Sequence, residues 1–360
     1  MAEVFACCGC GTVLTAPVSR IALPVHAHHT YGHELLPPLM EPGTYAVDPE
    51  PSGPPWRPWS EIGPEEAEAR GVFAPVPALS FGTPGAIVVA PGDIRRTTVI
   101  PERCDGYCMG LDGRDGPNLA CTGCGEPVAT RIDDCSLWQA VRLEPGAVHR
   151  LPADDPGPRT VGRDEPAEAW QGLPPVEQTG AWSPLWEAAV GEALAHLLAA
   201  SAGEPVAVPD GLAAETFGRV LDALLPPGPP SREAVLAGPG LPALGPGPDI
   251  ALVPRHPRTG RVWRPPGGAQ SPPAVPPAVP LAAGVWARLA FHSERSPLPV
   301  TGGLPDGVLR DDPPPMRPWR PFRPDPGVFL HTLARLPAVR LPWLREIYDR
   351  VRSSPYDHPF

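Results

Sequence analysis

Two short stretches decide how this chain folds: Ala6-Cys-Cys-Gly-Cys-Gly11 and Ala120-Cys-Thr-Gly-Cys-Gly125. They are identical at five of six positions, and apolar residues recur after each, at Leu14 and Val128 and again at Val18 and Ile132. In each stretch two cysteines stand two residues apart, a spacing that lets both thiolates grip one ion from a tight turn. The glycine after the second cysteine lets the backbone enter the left-handed region and aims amide hydrogens at the sulfurs. The residues that follow are expected to leave as a strand.

This pattern resembles the knuckle of zinc-ribbon proteins, in which two such turns supply a tetrahedral site of four thiolates. The resemblance covers about a dozen residues at each knuckle and implies a structural zinc ion (Zn2+). The departure is the long stretch between Cys10 and Cys121. Closing a long loop costs only logarithmically more than closing a short one, so an insertion of this size is tolerable. The stretch from Asp112-Gly-Arg-Asp-Gly-Pro-Asn118 through the second knuckle to Asp134-Cys135 is also similar to actinobacterial sequences, a resemblance that carries no function.

Two ligand sets are open. One joins Cys7, Cys10, Cys121 and Cys124, as the symmetry suggests. Cys104, Cys108 and Cys135 then form a second, three-sulfur site completed by a histidine. The other is local: Cys104, Cys108, Cys121 and Cys124. Cys8 has no evident role. Cys135 follows Asp133-Asp134, whose carboxylates should raise its pKa, so it reads as a ligand or core residue and not as a nucleophile.

All eight cysteines fall within residues 7–135. That shift predicts a β-rich zinc-binding domain over 1–150, a Pro/Asp/Gly-rich linker over 151–168, and a Pro-rich, mainly helical or irregular domain over 169–360. The fold class is α+β. Ala86–Ala90 and Thr97–Ile100 read as strands, as does the chain around Arg131–Leu143. Ser183-Pro184 opens a helix with apolar residues at Leu185, Trp186, Ala189, Val190, Ala193, Leu194, Leu197 and Leu198, and Gly203 stops it. Further helices are expected over Leu212–Leu225 and Pro342–Val351. Asp249–Val253 and Arg261–Trp263 suggest hairpin arms, while Gly238–Pro248 and Gly267–Pro280 read as extended or mobile tracts.

The 59 Pro and 38 Gly among 360 residues disfavour regular structure, but 42% hydrophobic residues and 10 Trp supply a core. Every one of the 29 basic residues is Arg, and Asn118 is the only asparagine, a signature of GC-rich coding. The net charge of -11 argues against a protein that coats nucleic acid or anionic membrane. Met1–Ala6 lacks a secretory pattern and no long apolar run is present, so a cytoplasmic location is expected. In that compartment cysteines read as ligands before disulfides.

Phosphate-binding glycine loops, His-Glu-x-x-His and Gly-x-Ser-x-Gly are absent from the sequence. The expected role is protein interaction or regulation through protein partners, since four thiolates leave no position for substrate. Two alternatives remain. His26, His28, His29 and His33 with Glu34 could form a metallohydrolase site. The segment Arg317–Arg352 sets eight Arg against Asp325, Glu346 and Asp349, and interleaves Arg317, Trp319, Arg320, Phe322 and Arg323 as single-strand nucleic-acid grooves do.

Overall fold

The computed structural model describes residues 2–26, 35–106, 108–153, 173–177, 180–244, 247–265, 276–291, 318 and 320–353. The described chain is α+β and clusters into two compact units. The first holds residues 1–70, 75–163 and 257–260, and the second holds 71–74, 164–256 and 261–360. Past Ala153, most of the expected linker lies outside the described residues.

The first unit is built from β1 (Glu3–Cys7), β2 (Ser19–Arg20), β3 (Thr44–Asp48), β4 (Trp56–Pro58), the short helix α1 (Pro64–Ala69), β5 (Ala78–Ser80), β6 (Ala86–Val89), β7 (Thr97–Val99), β8 (Leu119–Cys121), β9 (Pro127–Ile132), β10 (Ala140–Leu143) and β11 (Val148–Pro152). Seven strands form one sheet in the order β2-β3-β6-β10-β9-β8-β7, and β1 pairs antiparallel with β11 in a separate ribbon. The β-branched runs expected as strands are β6 and β7, but β6 lies between β3 and β10 while β7 pairs with β8 at the sheet edge.

Alternation on β1, β8, β9 and β10 buries Phe5, Leu119, Val128, Val141 and Leu143 in a single core together with Leu14, Tyr45 and Val89. Cys7 and Cys121 belong to this core. Arg142 and Asp48 form an ion pair whose side chains are 5% and 4% exposed, far from the usual surface setting of such pairs.

The second unit contains a four-stranded parallel sheet, β12 (Val206–Ala207), β13 (Arg232–Leu236), β14 (Ile250–Arg255) and β15 (Ala278–Ala282), in that order. Its helices are α2 (Pro184–Ser201), α3 (Arg219–Leu224, entered through a π turn at Ala214–Gly218), α4 (Ala283–Phe291), α5 (Pro326–Arg335) and α6 (Pro342–Ser353). Among the described residues the region is mainly helical or irregular, as expected, and this short parallel sheet is the feature the expectation lacked. Asp249–Val253 is not primarily a hairpin arm: β14 is flanked on both sides by parallel strands. The turn through Arg258-Thr-Gly260 contributes one antiparallel bridge, Arg255 to Val262. Part of the Pro/Gly tract 267–280 is strand, since β15 begins at Ala278, and residues 267–275 lie outside the described residues.

α2 follows its sequence signals, with Pro184 at its first turn and Ala202 and Gly203 both left-handed at its end. Ser183 occupies the N-cap position without a side-chain cap bond. The helix is buried on nearly all sides, including Ala188, Gly191, Glu192 and Ala195 beyond the predicted face. Two glycines allow close packing. A Cβ on Gly191 would lie 2.6 Å from the Asp325 carbonyl oxygen, and one on Gly238 would lie 2.2 Å from the ring of Trp286. α6 buries Leu344, Ile347, Tyr348 and Val351, while Trp343 stays partly exposed against Gly203.

Candidate metal centre

Each knuckle grows from the end of a strand. Cys7 closes β1 and Cys121 closes β8, so the strand ladder fixes the first sulfur of each pair. The turns that follow are near copies. The Gly11 amide donates to the Cys7 carbonyl at 2.9 Å, and the Gly125 amide donates to the Cys121 carbonyl at 2.8 Å. The Cys7 amide donates to the Thr12 carbonyl and the Cys121 amide to the Glu126 carbonyl, both at 2.9 Å. Gly11 and Gly125 have φ of 72° and 80°, the left-handed backbone that only glycine adopts at no cost. Even the second residue of each turn is held alike: the Cys8 amide donates to the Ala147 carbonyl and the Thr122 amide to the Arg96 carbonyl.

These two turns face one another. Cys7 Sγ lies 3.6 Å from Cys124 Sγ, and Cys10 Sγ lies 3.6 Å from Cys121 Sγ. All four sulfurs fall within 4.8 Å of one another and could hold a metal ion. The fold brings together the symmetric set of sulfurs, and does not bring Cys104 and Cys108 to Cys121 and Cys124. Each knuckle contributes one buried sulfur, Cys7 or Cys121, and one exposed sulfur, Cys10 or Cys124. None of the eight cysteines is in a disulfide.

The thiols are electrostatically unequal. The Thr12 hydroxyl and then the Thr12 amide, bonding to Cys10 Sγ, lower the Cys10 thiol to about 6. The Glu126 amide acts to lower Cys124, but the crowding Cys10 and Cys7 thiols, with burial, push it up to about 12. Of the two exposed sulfurs, Cys10 therefore ionises more readily than Cys124.

The remaining cysteines behave differently. Cys108, Asp134 and Cys135 bring one ligand atom each within 4.8 Å of one another. Cys104 is not in that group; its sulfur donates to the Ile100 carbonyl at 3.3 Å, and no histidine joins among the described residues. The three-sulfur set is thus corrected: a carboxylate stands where a third thiolate was expected. The Cys135 thiol is pushed up to about 11, first by its bond with Cys108, then by burial and Asp134.

Of the histidine cluster, His28, His29, His33 and Glu34 lie outside the described residues. His26 is described: its Nδ1 donates to the Pro24 carbonyl at 2.9 Å and its Nε2 accepts from Arg142 at 3.2 Å, so both ring nitrogens are engaged within the fold. In the C-terminal segment, Arg317 and Trp319 lie outside the described residues. Arg320 pairs with Glu187 at 2.8 Å, Phe322 meets Trp182 edge-on at 5.1 Å, and Arg219 donates to the Phe322 carbonyl.

Sequence reasoning missed one polar group in the second unit. Glu192 is buried on α2 and accepts from Arg255, at the end of β14, at 2.7 Å. His196, one turn further along α2, is lowered to about 4 by burial and then by the Arg255 charge. The only sequence signal was a pair of polar residues on a helix otherwise read as apolar.

No protein-family model, curated protein or solved structure matches this chain. No helix among the described residues is long and apolar enough to cross a membrane.

Proposed function

We propose that this is a cytoplasmic zinc-binding protein whose four-cysteine site is structural and whose role is protein interaction or regulation. The observation that carries this reading is the approach of Cys7 to Cys124 and of Cys10 to Cys121 at 3.6 Å. A tetrahedral zinc with Zn–S bonds of about 2.3 Å sets neighbouring sulfurs about 3.8 Å apart. The four thiols therefore need only small adjustments to enclose the ion. Sulfur-only donors select zinc over the harder magnesium and calcium. A site closed by four thiolates leaves no position for substrate, which favours a scaffold over a catalyst. The eight cysteines, none of them in a disulfide, suit a reducing compartment.

Zinc analysis of the purified full chain with X-ray absorption tests the site. The expected result is a tightly held zinc with four sulfur neighbours that is lost in Cys10→Ser. Protein that carries no zinc, or a Cys10→Ser variant that keeps all its zinc, overturns it. The interaction role predicts a protein partner retained by zinc-loaded chain and released by metal-stripped chain; equal retention by both separates the role from the metal.

A further inference from the structure

We propose that Cys108, Asp134 and Cys135 form a second, open site for a zinc-class ion, separate from the four-cysteine staple and with one coordination position left for an exogenous ligand.

The argument starts with Asp134. It is 4% exposed, so its carboxylate must find partners. Its Oδ2 accepts from the Met109 amide at 3.0 Å and the Cys108 amide at 3.3 Å, and its Oδ1 accepts from the Cys135 amide at 2.7 Å. A carboxylate offers about four acceptor sites. Three amides leave one, and the Cys135 thiol bonds this same carboxylate. Asp134 thus holds the backbone of both cysteines in place, and an ion that displaces the thiol proton takes over its remaining acceptor site.

The loop that carries Cys108 is tightly built. A Cβ on Gly110 would lie 2.7 Å from the Cys104 carbonyl oxygen, and one on Gly106 would lie 2.9 Å from the Gly110 carbonyl carbon. The chain folds back on itself so closely that neither position admits a side chain. The opposite turn is fixed as well. The Asp133 amide donates to the Leu111 carbonyl at 2.8 Å, and the Asn118 side chain both accepts from the Arg131 amide and donates to its carbonyl. Two loops distant in sequence are pinned together, and the ligand atoms of Cys108, Asp134 and Cys135 meet within 4.8 Å at the junction.

Three protein ligands with a fourth position open is the arrangement of exchangeable or reactive zinc, whereas four thiolates make a closed one. Cys108 is exposed and Cys135 is partly so, which gives an ion and a small anionic or thiol ligand a route in. The two thiolates and the carboxylate favour a soft divalent ion. Binding releases the thiol protons to solvent, and no electron transfer is involved.

Cadmium titration of the reduced full chain, followed by 113Cd NMR, tests this, because the shift depends on the number of sulfur ligands. Two resonances are expected, one for four sulfurs and one for two sulfurs with oxygen, the second stripped first by chelator. Cys108→Ser and Cys135→Ser should each lose the second resonance alone, and Cys104→Ser should lose neither. Loss of the first resonance only, in Cys10→Ser, reports on the staple and not on this proposal. Where a variant fails to fold, alkylation of the wild-type chain decides: Cys108 and Cys135 should be protected by bound metal. A single resonance with both thiols alkylated equally with and without metal overturns the proposal. So does a Cys108–Cys135 disulfide in place of metal binding, or loss of the second ion in Cys104→Ser.

Discussion

The sulfurs of Cys7 and Cys124 lie 3.6 Å apart although 117 positions separate them in the chain. The neighbouring contact, Cys10 to Cys121, spans 111 positions. The two contacts tie the β1–β11 ribbon to the seven-stranded sheet at a point where the buried partners, Cys7 and Cys121, are already core residues. An ion held here would add to the isolated bridge from Glu3 to Val18 and the shared core in joining the ribbon to the sheet.

Metal removal should therefore cost the first unit its fold. Structural zinc contributes about 10–16 kcal/mol in small peptide domains, as much as the whole net stability of a typical domain, about 5–15 kcal/mol. A strong chelator is expected to abolish the β signal in circular dichroism while the helical signal of the second unit persists. An unchanged melting curve after verified zinc removal would contradict this.

The knuckle glycines are not equivalent, and alanine scanning should separate them. A Cβ on Gly123 would lie 2.5 Å from Thr12 Oγ1 and 3.1 Å from Cys10 Sγ, whereas one on Gly9 meets only Cys124 Sγ and Cys7 Sγ at 3.5 and 3.7 Å. Gly123→Ala should displace the Thr12–Cys10 contact and weaken zinc binding about 10-fold, within the range seen when groups supporting a ligand are lost. Gly9→Ala should be nearly neutral. Gly11→Ala and Gly125→Ala meet no atoms but carry a left-handed φ, costing about 1–2 kcal/mol each. Chelator competition and thermal melts measure both effects.

The buried Arg142–Asp48 pair predicts strong non-additivity. Removing one partner leaves an uncompensated charge at a nearly inaccessible position. Asp48→Ala or Arg142→Met alone should destabilise by about 3–5 kcal/mol. The double substitution should recover much of that loss in urea unfolding. Additive losses would show that the pair is not coupled.

His196 predicts an acid limb in the stability of the second unit. Its pKa falls from 6.5 to about 4 in the folded chain, chiefly through burial. Between those values the unfolded chain binds the proton more readily, so stability is complete above pH 6.5 and declines as pH falls toward 4. By linkage the effect is about 2 kcal/mol, allowing for a ring that is only partly buried. Glu192 is shifted upward by burial, which acts in the opposite sense as pH rises. Comparing wild type with His196→Gln isolates the histidine: the difference in stability between the two should vary over pH 4–6.5 and level off above it.

What was legible in the sequence was local. The Cys-x-x-Cys-Gly repeat gave both turns, and the recurring Leu14 and Val128 are both fully buried, as the repeat implied. Pro184 and Gly203 bracketed α2 because caps act within one turn. The parallel sheet was not legible. β13 reads Arg-Glu-Ala-Val-Leu and β15 carries Pro280, and neither looks like a strand until β14 pairs with both. Its stability is non-local, which propensity does not register. In the sequence Asp134 is only a charge beside a thiol; nothing in its spacing announces that it accepts amides from residues 108 and 109.

The pairing of Glu3–Cys7 with Val148–Pro152 also sets a schedule for synthesis. During translation, the first knuckle emerges long before its partner strand and before the second knuckle exist. At about 5–20 residues per second, Cys7 and Cys10 wait roughly 6–22 s for Cys121 and Cys124. For that interval a nascent chain displays a two-thiol claw with no fold around it. A first knuckle left unpaired for that long would expose Cys7 and Cys10 to oxidation before Cys121 and Cys124 arrive.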